Sequence, residues 1–310
     1  MLHDITELRF FVTITESGSL AEAARRLDVT PSAVSQRLRH LEARLGMPLA
    51  QRSTRRFELT EEGEQFRDGV AAVLEQLDHV VDSLRERSGA LVGRLSIAAP
   101  TGFGRHHVAP AIAEFQAQHP RLRAALSLSD TLSPIDAGRY DIAVHMGAMV
   151  DPGISTQLVA PNNRYICAAP AYLARHPPPK DPAELARHEG VVLCENNQEL
   201  TLWRLRKRRH DMSVRVPVTL SSTDEAVVKA WGLAGKGLFL GLEWDVAEHL
   251  AAGELVRVLP EWSLPNADVV AVAARRGPLP RRVQLFLAFL QARFQPAPPW
   301  RADLPKKRSQ

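Results

Sequence analysis

The stretch 19–45, SLAEAARRLDVTPSAVSQRLRHLEARL, contains the starts of two helices that only a tight turn can separate. Ser19 and Glu22 have the spacing of a capping box, in which each side chain accepts a hydrogen bond from the backbone N–H of the other residue. Thr30 and Pro31 predict the second start, because a hydroxyl can cap the first turn and proline suits the first helical position. The stretch therefore predicts a helix-turn-helix.

The second helix of this motif divides into an apolar face and a polar face when its residues are placed 100° apart. The apolar stripe, which should pack inward, consists of Val34, Leu38, Leu41 and Leu45. The opposite face carries hydrogen-bonding side chains without a carboxylate and fits the DNA major groove, where such groups read base edges. The residues predicted to contact DNA here are Thr30, Pro31, Ser32, Ser35, Gln36 and Arg39. The alternative is an ordinary solvated helix face.

Residues on both sides of the motif complete a winged unit. Residues 5–16 predict a first helix that supports the motif, since their apolar positions recur at helical spacing. Residues 50–60, AQRSTRRFELT, contain β-prone positions around a basic tip and predict a hairpin wing that touches phosphates or the minor groove. The contacting residues of the wing would be Arg52, Arg55 and Arg56. The alternative is a solvated basic loop, although residues 25–56 concentrate eight arginines beside two acidic residues.

A heptad pattern follows the wing. Thr60 can cap a helix that runs to about Arg87, and its apolar residues are spaced alternately four and three apart. This spacing predicts a seam that packs against a partner helix, so that a dimer presents two recognition helices to two half-sites. The seam residues are Phe66, Val70, Val73, Leu77, Val80 and Leu84. The alternative is one amphipathic helix packed within a monomer.

From Leu91 onward, strands and helices alternate over more than 200 residues. This alternation predicts a mainly parallel sheet covered on both faces and divided between two lobes. Residues 212–220 read as one strand, and 280–294 as a closing helix. The tail at 296–310 contains four prolines and a basic end, which predicts disorder.

Composition limits the class of protein. The chain has 310 residues, of which 45% are hydrophobic, and a formal net charge of +4 at pH 7. No run of ~18 apolar residues predicts a membrane span. The N-terminus, MLHDITELRF, lacks the apolar segment of a signal peptide, and two cysteines make no disulfide framework. A soluble cytoplasmic protein with no membrane partner is therefore expected.

Long segments of the chain resemble the LysR-type transcriptional regulators. The N-terminal signature of that family is similar to FFVTITESGSLAEAARRLDVTPSAVSQRLRHLEARLGMPLAQRSTRRFELTEEG. The start of the family's effector domain is similar to RLSIAAPTGFGRHHVAPAIAEFQAQHP, and later landmarks resemble YDIAVHMG, RYICAAPAYLA and GELVRVLPEW. Three positions depart from the usual pattern: Ala50 replaces an aromatic residue, His145 an arginine and Glu243 a proline.

The resemblance implies a winged helix-turn-helix at 1–60, a dimerisation helix at 61–88 and an α/β effector-binding domain at 91–295. Two Rossmann-like lobes similar to periplasmic binding proteins would form this domain. Lobe one would comprise 91–161 and 267–295, and lobe two 162–266. Double-stranded DNA, a small-molecule effector in the cleft and a homodimer or homotetramer are the implied partners, with RNA polymerase as a further candidate.

Strand ends predict where the effector binds. Seven residues are expected to meet there: Thr101, Gly102, Phe103, Ser129 and His145 from lobe one, and Asn196 and Thr223 from lobe two. Most of these groups donate hydrogen bonds, and a free helix N-terminus after Gly102 would favour negative charge. Phe103 would add an apolar surface. The expected effector is therefore a small organic anion that bears a carboxylate.

Three other features of the sequence allow alternative chemistry. Cys167 and Cys194 could form a redox pair, but thiols in apolar strands are usually inert. Adjacent His106 and His107 point about 100° apart and lack a third ligand at useful spacing, which disfavours a metal site. The basic run 204–210 could touch DNA, although a solvated strand edge is the alternative.

The sequence contains no nucleophile elbow, P-loop or complete dinucleotide fingerprint, so neither catalysis nor a cofactor is expected. Two rival functions remain open at this point. One is an enzyme built on the two-lobed domain. The other is a constitutive architectural DNA-binding protein with a degenerate effector domain.

Overall fold

The computed structural model describes residues 4–17, 19–51, 57–86, 91–130, 140–147, 155–195, 198–273 and 279–301. The chain divides into two compact units, Met1–Gly89 and Ala90–Gln310, which are described separately. None of the described helices is both long enough and apolar enough to cross a membrane.

The first unit is helical. Its helices are α1 (Ile5–Thr15), α2 (Leu20–Leu27), α3 (Pro31–Leu45) and α4 (Glu61–Glu86). Buried side chains from α1, α2 and α3 form its core together with Leu49. The core residues are Phe10, Phe11, Ile14, Ala23, Ala24, Val34, Leu38, Leu41 and Leu49. The helix-turn-helix predicted at 19–45 is confirmed.

Caps fix both helices of the motif. Ser19 Oγ accepts a hydrogen bond from the Glu22 N–H, at 3.2 Å, but the Ser19 N–H donates to the Ser17 carbonyl. Only one half of the predicted capping box is therefore formed. Asp28 ends α2 in the left-handed conformation, with φ of 55°, and Thr30 Oγ1 accepts from the Ala33 N–H at 3.2 Å. Local hydrogen bonding thus sets the turn between α2 and α3.

The base of the predicted wing is paired. Ala50 and Leu59 form an antiparallel bridge, and the Gln51 N–H donates to the Glu58 carbonyl at 2.8 Å. The tip residues Arg52, Arg55 and Arg56 lie outside the described residues. At the start of α4, Thr60 Oγ1 accepts from the Gly63 N–H at 3.0 Å, as the sequence predicted. A Cβ at Gly63 would lie 1.9 Å from the Leu49 carbonyl oxygen, so this contact requires glycine.

The second unit is built around a five-stranded sheet. Its strands are β1 (Gly93–Ala99), β2 (Leu122–Leu128), β3 (Ile142–Met146), β4 (Ser155–Ala160) and β13 (Val269–Ala273), in the order β2-β1-β3-β13-β4. A continuous helix follows β1 as α5 (Thr101–Phe103), a π-helical turn (Gly104–Val108) and α6 (Ala109–Gln118). We call this part lobe one. The boundary positions 161/162 and 266/267 remain a proposal.

The rest of the second unit, called lobe two, contains three smaller sheets. Their strand orders are β10-β6-β7, β11-β5-β12 and β8-β9. The strands are β5 (Arg164–Ala168), β6 (Gly190–Glu195), β7 (Gln198–Glu199), β8 (Leu202–Lys207), β9 (His210–Arg215), β10 (Val218–Ser222), β11 (Phe239–Leu242) and β12 (Val256–Val258). The helices of lobe two are α7 (Pro170–Leu173), a 3₁₀ turn (Pro182–Arg187), α8 (Glu225–Leu233) and α9 (Glu243–Ala251). The last α-helix, α10 (Arg281–Ala292), packs on lobe one.

Strand direction differs from the prediction. β1 runs parallel to β2 and β3, but β13 is antiparallel to β3 and β4, and β5 is antiparallel to β11 and β12. The expectation of mainly parallel sheets was therefore wrong. Alternation of strands and helices predicts that helices cover a sheet. It does not predict the direction of a strand such as β13, where the chain returns from lobe two to lobe one. The stretch 212–220 is also two strands, β9 and β10, because Pro217 between them has no N–H for a ladder.

The prediction of a disordered tail was wrong for residues 296–301. Pro299–Arg301 forms a 3₁₀ turn, and Trp300, only 7% exposed, packs with the core of lobe one. Arg301 forms an ion pair with Glu243, the first residue of α9. Proline content suggested disorder, but an aromatic side chain and an arginine with a buried partner stabilise the segment. Residues 302–310 lie outside the described residues.

Candidate DNA-contacting surface and effector cleft

Helix α3 carries its polar face to solvent. Ser32, Gln36, Arg39 and His40 are exposed, and Ser35 is partly exposed. Val34, Leu38 and Leu41 are buried on the other side, as the 3.6-residue period requires. Thr30 and Pro31, at the start of the helix, are also exposed. The structure therefore leaves all six residues predicted on this helix accessible to a ligand.

Two charged residues hold this surface in place and were not predicted as site residues. Arg37 Nε donates to Glu7 at 2.7 Å, and its guanidinium lies 4.3 Å from the centre of the Phe10 ring. Glu42 Oε1 accepts from the N–H groups of Leu49 and Ala50, at 2.8 and 3.2 Å. Arg37 therefore ties α3 to α1, while Glu42 ties α3 to the base of the wing. Sequence alone gives no signal for such contacts, because their partners are up to 30 residues away.

The predicted seam of α4 divides between two environments. Phe66 contacts Phe11 of α1, with ring centres 5.1 Å apart, and Val70 is buried within the same unit. Val73 is 56% exposed and Leu77 is partly buried. The side chains of Val80 and Leu84 lie outside the described residues. Phe66 thus supports α1 of its own chain, and the seam as a whole stays a prediction.

The helix N-terminus at Thr101 has a partner. The Thr101 N–H donates to Asp130 Oδ1 at 2.7 Å, so a carboxylate from the end of β2 occupies the position predicted for an anionic effector. The Ser129 N–H donates to the Ala99 carbonyl at 3.0 Å, which brings the ends of β1 and β2 together. The prediction of a free N-terminus was wrong, because the residue after Ser129 supplies its own negative charge.

Phe103 does not line the cleft. It is completely buried, and its ring packs against His107 at 4.7 Å and Trp244 at 5.6 Å between ring centres. Trp300 contacts the same ring, with a centre-to-centre distance of 6.2 Å. A Cβ at Gly102 would approach the Trp244 ring to 3.1 Å, so Gly102 is a packing position. The prediction for Phe103 was wrong because its neighbours come from α9 and the C-terminal segment, which periodicity cannot reveal.

Residues of the two lobes do meet near the remaining predicted positions. His145, from β3 of lobe one, lies close enough to Glu195 of lobe two for the charges to interact. Burial lowers the pKa of His145, and the Glu195 carboxylate acts in the opposite direction. Thr223 is exposed at the turn before α8, whereas Asn196 lies outside the described residues. The structure therefore brings together charged groups that the sequence analysis had not paired.

A cavity opens in lobe two beside these residues. The centre of a water molecule can move in about 60 Å³ of it. Its polar lining consists of Arg164, Glu195, Glu225, Lys229 and Asp245, and its apolar lining includes Val191, Val192, Leu193, Val228, Phe239 and Leu242. None of these carboxylates was predicted, because the residues expected at the strand ends were hydrogen-bond donors. Glu225 stands two residues after Thr223, but only the fold shows that its side chain lines a cavity.

Glu225 is the most strongly perturbed acid of this region. Burial raises the pKa of Glu225 from 4.5 to about 7, and the neighbouring Asp130 and Asp245 add to the rise. Arg164 acts in the opposite direction, and Glu195 in the same direction as the other carboxylates. A group with such a pKa changes its charge near neutral pH, so the charge of the cavity depends on pH.

The raised pKa of Glu225 makes the stability of the protein depend on pH. The unfolded state loses the Glu225 proton near pH 4.5 and the folded state near pH 7, so the stability of the wild type should fall as pH rises between these values. The shift corresponds to about 3 kcal/mol at most. Glu225→Gln cannot ionise and should therefore gain stability relative to wild type between pH 5 and pH 8 in urea unfolding. The control is Glu248→Gln, at an exposed position of α9, whose free energy of unfolding should differ from that of the wild type by the same amount at every pH. If the difference for Glu225→Gln is also independent of pH, the raised pKa of Glu225 is contradicted.

The alternative chemistries receive no support from the described residues. Burial raises the pKa of the Cys167 thiol to about 12, so this thiol stays protonated and unreactive. Burial lowers the pKa of His107 to about 4, and the described residues contain no group of three side chains suited to a metal ion. The basic run 204–210 lies in the β8–β9 hairpin, where Arg206 pairs with Asp211 and Lys207 with Glu261. The basic side chains of the run are exposed or partly exposed, whereas Leu205 is buried and the backbone of Arg206 pairs with Ser263.

Comparison with known proteins agrees with this architecture. The family model described as the LysR substrate binding domain matches residues 88–295, and that of the bacterial regulatory helix-turn-helix protein, lysR family, matches residues 5–64. The chain is 35% identical over 279 residues to the HTH-type transcriptional activator TtdR of Escherichia coli, covering 90% of this chain and 89% of that protein. It is 32% identical over 290 residues to the HTH-type transcriptional regulator DmlR of the same species, covering 94% of each.

A solved structure supports the fold. The full-length virulence activator AphB of Vibrio cholerae superposes with a TM-score of 0.62 at 24% sequence identity, covering 93% of this chain and 99% of that one. The helical unit and the α/β unit thus occur together in that structure as well. Because the substrate-domain model matches more than half of the chain and both relatives exceed 30% identity over at least 90% of it, this chain belongs to the LysR family of DNA-binding transcriptional regulators.

Proposed function

We propose that the protein binds an operator with two half-sites through α3 and the wing, as a homodimer or homotetramer in the cytoplasm. A small molecule in the cleft between lobe one and lobe two alters this binding, and RNA polymerase is the partner through which transcription responds. The observation that carries the DNA-binding part is the exposed face of α3. This face presents six polar or small residues to solvent, while the apolar stripe of the helix packs into the core of the first unit.

Base reading by this face leads to the first test. Gln36 is exposed near the centre of the face, and its amide can both donate to and accept from a base edge. Gln36→Ala should reduce discrimination between the operator and a scrambled duplex by about 1–3 kcal/mol. Fluorescence anisotropy at fixed salt would measure both affinities. Gln65→Ala, an exposed glutamine on α4, is the matched control, and equal discrimination in the two variants would show that α3 is oriented differently.

Charged residues facing each other across the two lobes support an effector between them. Asp130 of lobe one influences Glu225 of lobe two, and Glu195 of lobe two influences His145 of lobe one. A ligand in the lobe-two cavity, beside the charged groups of lobe one, would bind best to one relative arrangement of the lobes and so shift the population of states. We propose that this ligand is small and carries a carboxylate, for which Arg164 is the cationic partner in the cavity.

Effector control is tested by thermal unfolding of the full-length protein with a panel of small carboxylic acids and amino acids. A ligand that binds the native state raises the melting temperature by mass action. The same compound should change operator affinity. If every compound that raises the melting temperature leaves operator affinity unchanged, the protein is a constitutive DNA-binding protein.

A further inference from the structure

We propose that the cavity of lobe two selects a small zwitterion, an α-amino acid, whose carboxylate binds Arg164 and whose ammonium group binds Glu225. The inference rests on the proposed function, because it names the chemical class of the effector. It differs from the expectation of a purely anionic ligand in requiring a positive group beside the carboxylate.

The charges that line the cavity divide into a satisfied pair and an unsatisfied set. Lys229 and Asp245 form an ion pair with each other and need no ligand. Among the described residues, no hydrogen bond or ion pair within 4.0 Å engages the side chains of Arg164 and Glu225. Buried or half-buried charges without partners are costly, so groups of both signs are left for a ligand to neutralise.

The balance of charge favours a zwitterion over a simple anion. Asp130, Glu195 and Asp245 all act on Glu225 as negative neighbours, and Arg164 is its positive neighbour. Lys229 is held by Asp245, and His145 faces Glu195 with a pKa lowered by burial. A ligand that carries only a carboxylate would be attracted by one guanidinium and repelled by several carboxylates. An ammonium group near Glu225 removes this repulsion, while the ligand's carboxylate still has Arg164 as its partner.

The size and apolar lining of the cavity limit the ligand's side chain. About 60 Å³ of space for water centres corresponds to roughly four to six water molecules, and therefore to a ligand of only about five to eight heavy atoms. Val191, Val228, Phe239 and Leu242 line the cavity and are buried. A short aliphatic side chain, as in alanine or valine, fits these walls better than a long or charged one.

The ionisation of Glu225 gives the proposal a pH signature. The ammonium group needs the carboxylate form, but burial and the neighbouring acids Asp130, Asp245 and Glu195 favour the protonated form below about pH 7. Amino-acid affinity should therefore be lower at pH 6 than at pH 8, with a proton released on binding at pH 6. A ligand that lacks the ammonium group should show the opposite trend, because a charged Glu225 repels its carboxylate.

The experiment is isothermal calorimetry on the full-length protein with matched ligands. L-Alanine, L-serine and L-valine are each titrated, together with 3-methylbutanoate, which lacks the ammonium group of valine, and 2-methylpropylamine, which lacks its carboxylate. At least one amino acid should bind at least tenfold more tightly than either single-charge analogue. The proposal is overturned if none of the three amino acids binds, or if the acid or the amine binds as tightly as the amino acid.

Two substitutions assign the two ends of the ligand. At pH 8, Glu225→Gln should weaken amino-acid binding at least tenfold and should strengthen binding of 3-methylbutanoate, because it removes the carboxylate that repels this anion. Arg164→Gln should weaken the binding of both ligands. The controls are Glu248→Gln and Arg204→Gln, which remove charges of the same kind at exposed positions of the same lobe. Unchanged amino-acid binding in Glu225→Gln, with its melting temperature retained, would refute the assignment.

The outcome also separates this inference from the proposed function. If a simple carboxylic acid raises the melting temperature and alters operator affinity while the amino acids do neither, effector control stands and the zwitterion proposal falls. If no small molecule alters operator affinity, the proposed effector control falls as well.

Discussion

Arg301→Ala should lower the free energy of unfolding by about 2–4 kcal/mol, although the residue lies near the end of the chain. Its guanidinium donates to both carboxylate oxygens of Glu243, at 2.9 and 2.7 Å, and the Glu243 side chain is only 2% exposed. Removing the partner of a buried carboxylate leaves an uncompensated charge, which costs more than the pair itself contributes. Asn163 would still donate to Glu243 through its backbone N–H and its side-chain amide, which limits the loss.

Urea unfolding of the full-length protein measures this effect. Arg293→Ala is the matched control, because Arg293 pairs with Glu114 on the surface, where ion pairs contribute about 0–1 kcal/mol. Adding Glu243→Gln to Arg301→Ala should recover part of the loss, since the neutral amide no longer needs a cation. If Arg301→Ala lowers the free energy of unfolding by no more than Arg293→Ala does, the C-terminal segment does not stabilise the second unit in solution.

Val73→Lys should convert the protein to a monomer and reduce its affinity for an operator with two half-sites by about 10²-fold or more. Among the seam residues whose side chains the structure describes, Val73 is the most exposed, with 56% of its surface accessible. A lysine there is tolerated in a monomer but would bury a charge between two paired helices, which is costly. In a dimer, binding of one chain to its half-site holds the other chain at a high effective concentration near the second half-site. Loss of the dimer removes this second contact.

Sedimentation velocity and anisotropy with single and double half-sites test this prediction. Ala71→Lys provides the control, because Ala71 is exposed two residues away and lies off the heptad seam. It should sediment as the wild type does. Binding to a single half-site should be similar in both variants. A dimer that persists in Val73→Lys would show that α4 serves only its own chain.

The sequence alone determined where the helices of the helix-turn-helix begin and which residues of α3 are buried. The starts of α2 and α3 depend on caps within three residues, and the buried stripe of α3 follows from helical periodicity. These signals are local, so they need no knowledge of the tertiary structure. Most strands and helices of the second unit were likewise predictable, because each carries its own apolar pattern, but the stretch 212–220 is two strands and not one.

Tertiary structure alone decided how distant segments meet. It reversed the expected direction of β13, buried Phe103 beneath Trp244 and Trp300, and docked residue 301 against residue 243. It also placed Asp130 on the helix N-terminus that the sequence left open, and it gathered Arg164 and Glu225 around one cavity. Each of these contacts joins residues at least 29 positions apart. Periodicity and capping report only on neighbours within a few residues. The charge and shape of the cavity that we propose as the effector site therefore follow from the fold and not from any one segment of sequence.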